Sequence, residues 1–333
     1  MATVKDVAIR AGVSVGTVSK VLSKNPTVKP ALRERVMAAV AELGCKPNLA
    51  ARALRTRSLN ILGLVVPDIS NPFFAQLAKD IEAEAAKQSH AVMLANSDDD
   101  PEVEARQIGT LLDQSLKGLI VIGSSDQSVA AIQLKIPIVS VDRRYGDCKL
   151  ISADHEAGSA LVAEYLCQLG HRRIAYISGP QATEVGRLRK KGFCKKLEEL
   201  AAASGDLQLQ TREGQFDYAS GEEIARGLLD GETSSRPTAI ASASDQQAIG
   251  ALRAARDLGI GVPDDLSIAG YDDITLAKLV VPRLTSVSQR TDEMARRAVR
   301  CLLSGAPLPR QDEYVETVLQ PRGSTGPAVG RGR

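Results

Sequence analysis

With 333 residues, 44% of them hydrophobic and 25% charged, the chain is longer than one typical domain and has material for a sizeable core. No apolar run approaches the roughly 20 residues that span a bilayer, and the opening Met1–Val4 followed by Lys5-Asp6 lacks the core of a secretion signal. A membrane or exported protein is therefore not expected, and a cytoplasmic one is.

The net charge of +2 conceals a division. Residues 1–57 carry eleven Lys and Arg against three Asp and Glu, whereas the other 276 carry 31 against 37. A basic head on an acidic body suits nucleic-acid binding through the head, although a solvated basic face has the same composition. The five cysteines form no C-x-x-C pair and the three histidines have no metal-ligand spacing, so no metal, redox centre or cofactor is expected.

Thr3-Val4-Lys5-Asp6 has the form of a capping box and starts a helix with Val4, Val7, Ala8 and Ala11 on one stripe. Gly12 stops it, and Ser14 caps a second helix whose inward face is Val15 or Val18 with Val21 and Leu22. A third opens at Pro30, buries Leu32, Val36, Ala39, Val40 and Leu43, and ends at Gly44. Three short helices around the corner Ala11-Gly12-Val13 make a helix-turn-helix, with the second helix placed to enter a major groove. Such a bundle also suits a protein-docking head, the rival reading.

The stretch Thr3-Val4-Lys5-Asp6-Val7-Ala8, Ala11-Gly12-Val13-Ser14 and Thr17-Val18-Ser19-Lys20-Val21-Leu22 resembles the LacI/GalR family of repressors nearly position for position. The resemblance implies that Val15, Gly16 and Lys20 read bases while Thr3, Ser14, Thr17 and Ser19 touch phosphates. Gly16 departs from the usual side-chain donor, which leaves more of the readout to Lys20, a partner for guanine O6 and N7. Pro47 to Arg55 would form a hinge helix, too short to hold alone in water, with Asn48, Leu54 and Arg55 at DNA. Leu54 matches the family's minor-groove wedge, and such wedging kinks the duplex. The implied partners are a near-palindromic operator and a second copy of the chain.

From residue 59 onward, strand-length apolar runs alternate with helical stretches. The strands are Ile61–Val66, Ala91–Ala95, Leu119–Ile122, Ile136–Val141, Ile174–Ile177, Leu207–Gln210, Ala239–Ala243 and Leu266–Ala269. Helices fall near 74–88, 101–115, 126–134, 156–169, 187–202, 218–230 and 245–258. The pattern repeats, so two lobes with a cleft are expected: an all-α head (1–46), a hinge (47–58) and a two-lobed α/β body of two parallel doubly wound sheets. The layout is similar to the periplasmic binding-protein fold. The expected lobes are 59–154 with 289–311 and 155–288 with 312–322, leaving 323–333 as a disordered tail without a leucine heptad.

Residues just beyond strand ends hold ligands in such sheets. Here they include aromatics, arginines, carboxylates and amides, a set suited to a sugar. The resemblance extends to ribose-type members at Asn71, Phe73, Phe74, Asp142, Arg143, Arg189, Phe216, Asp272 and Gln289. Ser244 departs from the family's asparagine there and puts ribose itself in doubt. No phosphate-binding, nucleophile-elbow or dinucleotide motif occurs, so an enzyme is not expected. The sequence reading is a sugar-responsive, DNA-binding repressor.

Overall fold

The computed structural model describes residues 2–22, 27–44, 60–124, 136–231, 235–305 and 311–328, in two units divided between Leu59 and Asn60. The expected hinge and the expected helix at 126–134 lie outside the described residues.

In the first unit, α1 (Val4–Ala11) begins with a complete capping box: Asp6 N–H donates to Thr3 Oγ1 and Thr3 N–H to the Asp6 carboxylate at 2.7 Å. Gly12 adopts φ 61°, which closes the helix, and a Cβ there would stand 2.9 Å from the Arg35 guanidinium. That guanidinium donates to Ala11 O at 2.6 Å, tying the corner to the third helix. α2 (Val15–Leu22) and α3 (Pro30–Leu43) complete a core of Val7, Ala8, Ala11, Val18, Val21, Val36 and Ala39. Val15 is 46% exposed, so Val18 is the inward residue and Val15 faces out.

The second unit contains two six-stranded sheets. The first is built from β1 (Ile61–Val66), β2 (Ala91–Asn96), β3 (Gly118–Val121), β4 (Ile138–Val141), β5 (Lys149–Ala153) and β11 (Glu313–Val315), in the order β11-β5-β4-β3-β1-β2 and wholly parallel. Its helices are α4 (Pro72–Lys87), α5 (Pro101–Leu112) and α10 (Thr291–Leu303). The second sheet comprises β6 (Arg173–Ser178), β7 (Gln208–Glu213), β8 (Ala239–Ser242), β9 (Ser267–Asp272), β10 (Thr285–Ser288) and β12 (Val318–Gln320), ordered β12-β10-β9-β8-β6-β7. It carries α6 (His155–Gln168), α7 (Glu184–Ser204), α8 (Tyr218–Leu229) and α9 (Asp245–Asp257). Only the edge pair β10–β12 is antiparallel among the described pairings, so the body has the two parallel-dominated sheets expected.

The chain passes between lobes after β5, after β10 and after β11. The expected return to the second lobe at 312 is thus corrected: Glu313–Val315 pairs with β5 and completes the first sheet. The tail expectation is corrected as well for residues 323–328. Ser324 Oγ accepts from Thr285 N–H at 2.8 Å and donates to Ile268 O at 2.6 Å, Gly326 N–H donates to Ser267 Oγ, and Ala328 N–H donates to Leu169 O. A Gly/Pro-rich composition suggests mobility, but small residues also let a backbone lie close against β9 and β10 and satisfy their edge groups.

Candidate functional site

Parallel strands aim their carboxyl ends at one side, and the residues that follow them meet there. Asp142 follows β4, Asp272 ends β9 and Gln289 follows β10. Arg189, from the second turn of α7, is 3% exposed. Its Nη1 donates to Asp272 Oδ1 at 3.0 Å and to Ala243 O at 2.5 Å, and Gln289 Nε2 donates to the same Asp272 oxygen at 2.6 Å. The guanidinium lies 4.0 Å above the Tyr271 ring and 5.6 Å from that of Phe216. Phe216 rests against Gly179, where a Cβ would come within 2.2 Å of the ring. Arg143 stands 5.1 Å over Phe74 and pairs with Asp99 at 2.8 Å.

Backbone strain concentrates here. Asp142 (φ 62°), Asp272 (φ 116°), Asp273 (φ 53°) and Arg290 (φ 55°) all occupy the left-handed side. Non-glycine residues hold such angles only where their surroundings enforce them, most often at binding sites. Burial pushes Asp272 up to about 6 against the opposing pull of Arg189, and burial also raises Asp142. Two buried acceptors, Asp142 Oδ1 and Gln289 Oε1, have no hydrogen-bond partner, so each is left able to accept from a hydroxyl donor.

Arg189, Asp272 and Gln289 are joined directly, while Arg143 with Phe74, and Phe216 beneath Arg189, supply the aromatic faces. Other expected residues are engaged differently. Asn71 and Ser244 cap helices, accepting from Phe73 N–H at 3.0 Å and Gln247 N–H at 3.2 Å. Phe73, 5% exposed, packs edge-on against Phe74 in the core. On the head, Val15, Gly16 and Lys20 are exposed along one helix, and Ser14 Oγ accepts from Thr17 N–H.

Residues 3–48 match the description "Bacterial regulatory proteins, lacI family" and residues 163–325 match a periplasmic binding protein-like domain. Catabolite control protein A of Priestia megaterium is 34% identical over 90% of this chain and 91% of that protein. This chain belongs to the lacI family. The ribose operon repressor of Escherichia coli K12 is 31% identical over 97% of this chain and 100% of that one. Among solved structures, a lac repressor dimer bound to operator and an anti-inducer superposes with a TM-score of 0.83 at 29% identity, over 98% of this chain and 99% of that one. A LacI-family regulator from Enterococcus faecium with bound ribose gives 0.70 at 26% identity, over 80% of this chain and 99% of that one.

Within this lacI-family frame, two pocket residues escape sequence reading. Tyr271, 1% exposed, carries the Arg189 guanidinium on its ring. His155, 3% exposed, reaches both Arg189 and Asp142. Each stands beside a residue that was singled out or at a predicted helix start. The partners lie too far along the chain for local spacing to show them.

Proposed function

We propose that this regulator represses transcription in the cytosol as a homodimer, and that a small, uncharged, sugar-like effector in the pocket sets its affinity for a near-palindromic operator. The observation that carries the effector class is the pairing of charges. Arg189 is committed to Asp272 and Arg143 to Asp99, while the unfilled buried atoms Asp142 Oδ1 and Gln289 Oε1 accept hydrogen bonds and do not donate. Hydroxyl donors complement such a site, whereas a phosphate or carboxylate would meet carboxylates whose cations are already engaged. Relatives named as ribose operon repressors and a ribose-bound neighbour support a sugar. Ser244 at the α9 cap distinguishes this pocket from the family's asparagine, so the sugar need not be ribose.

At the head, Thr3, Ser14, Thr17 and Ser19 would hold phosphates while Val15, Gly16 and Lys20 face base edges. Asn48, Leu54 and Arg55 would engage the operator centre. The exposed Val281 lines a groove of about 760 Å³ in which Ile249, Leu252, Ile260, Val262 and Pro282 are joined by Arg253, Arg256 and Asp257, and Leu258, Leu276 and Leu279 are exposed as well. This is the face on which the second copy would sit, because two heads must span two half-sites. The function is regulation, not catalysis. A gel shift with the DNA upstream of the protein's own gene tests it: a specific complex in dilute buffer should weaken by orders of magnitude at moderately high salt, as released counterions require. Absence of any specific complex at low salt refutes the repressor.

A further inference from the structure

His155 opens α6 where the chain first leaves the first sheet. Its ring contacts both lobes. Nδ1 lies 3.4 Å from Arg189 Nε, while Nε2 lies 3.2 Å from Ser152 Oγ and 3.5 Å from Asp142 Oδ1. Arg189 Nε–H can only donate, so Nδ1 accepts and the single ring proton of the neutral imidazole sits on Nε2. Ser152 Oγ gives its own proton to Asp142 O at 3.0 Å, leaving its lone pairs for Nε2–H. The tautomer is therefore fixed from both sides, and His155 links the Asp142 backbone carbonyl, through Ser152, to Arg189, Asp272 and Gln289 of the second lobe, while its Nε2 stands 3.5 Å from the Asp142 carboxylate without bonding to it. A second ring proton would face the Arg189 N–H donor to donor. Burial, and then the Arg189 and Arg143 guanidiniums, accordingly hold the imidazole well below its ordinary range.

We propose that His155 is a positioning residue that couples the two halves of the pocket, holding Asp142 of the first lobe and Arg189 of the second in the arrangement an effector meets. This rests on the assignment of the pocket as the effector site. His155 itself spends both nitrogens on the protein and does not recognise the effector. Its role is to make a change at one lobe's charge felt at the other's.

The test uses the full chain without effector or DNA, so its outcome is separate from that of the operator experiment. Melting temperatures are measured for Asp142→Asn, Arg189→Met and their combination, first with His155 present and then in a His155→Leu background. The two substitutions are expected to be non-additive by several degrees with His155, and this non-additivity is expected to fall by at least half without it. Unchanged non-additivity overturns the proposal, because a side chain that merely fills volume would leave the pair's coupling intact. Should the leucine variant fail to fold, His155→Asn keeps an acceptor near Arg189 but cannot reach Asp142, and it carries the same comparison. Nitrogen-15 spectra of histidine-labelled chain give a second reading. His90, His155 and His171 are the three histidines, so the signal lost in His155→Asn belongs to His155. A neutral ring protonated at Nε2 is expected at pH 7, and a charged or Nδ1-protonated ring overturns the assignment.

Discussion

Replacing Arg189 by methionine should produce a destabilisation that depends on pH in a calculable way. The guanidinium is the cation paired with Asp272, which is 7% exposed and otherwise bonded to Gln289 Nε2 at 2.6 Å. Leaving a buried charge without its partner costs about 3–5 kcal/mol. The carboxylate can escape that cost by binding a proton. In the native protein Asp272 already sits near 6, above its unfolded value, so its contribution is favourable at low pH and is lost as pH rises through about 6. Above that the native group is ionised and the loss stops. In the methionine variant the folded group stays protonated to higher pH, so stability keeps falling by about 1.4 kcal/mol per pH unit. Between pH 6 and 8 the deficit relative to the native chain should widen by about 3 kcal/mol, or roughly 6–12 °C in melting temperature at 2–4 °C per kcal/mol. Asp142, also raised by burial and held down by Arg189, acts in the same direction. Thermal melts of both proteins at pH 5, 6, 7 and 8 give the comparison. A deficit that is constant across that range would refute the reasoning.

Lys20→Ala should weaken operator binding by about 1–3 kcal/mol, the worth of one bidentate base contact, with an unchanged melting temperature; equal loss on unrelated DNA would reassign Lys20 to phosphate. Val281→Asp places a charge on a residue 94% exposed in the single chain, and sedimentation should show monomers with the fold intact. A stable dimer would move the interface elsewhere. Ending the chain after Arg322 removes the Ser324 and Gly326 bonds to β9 and β10 and should cost about 2–4 kcal/mol at roughly 1 kcal/mol per bond in a denaturant titration, and an unchanged midpoint would show that the strap adds nothing.

Much of the fold was legible because strong punctuation marks its elements. Asn71-Pro72 and Asp100-Pro101 pair a cap with a proline at the first helical position, and both helices begin there. Thr3 with Asp6 did the same for the head. α10 was not foreseen, since it starts after Arg290 without a side-chain cap and its stripe of Met294, Ala295, Ala298, Val299 and Leu302 is interrupted by arginines. β5 was missed for a related reason. Lys149 reads as a surface residue, yet it is buried and satisfied by Gln311 O and Glu313, both some 160 residues away. In the pocket, residue types at strand ends pointed to Asp142, Asp272 and Gln289, and the family resemblance to Arg189 inside a helix. Asn71 and Ser244 also cap helices and Phe73 packs edge-on against Phe74, engagements with neighbours that residue type alone does not reveal.

The interleaving of the two sheets bears on the order in which the protein can be made. α1 to α3 close a core from residues within the first 44, so the head can fold as it leaves the ribosome. The first lobe must wait for α10 and β11, and the second for β12 and the strap at Ser324, all of them far along the chain from the strands they join. A nascent chain of 300 residues would therefore carry a closed head core on two unfinished lobes, and the regulated part of the molecule matures later than the part it regulates.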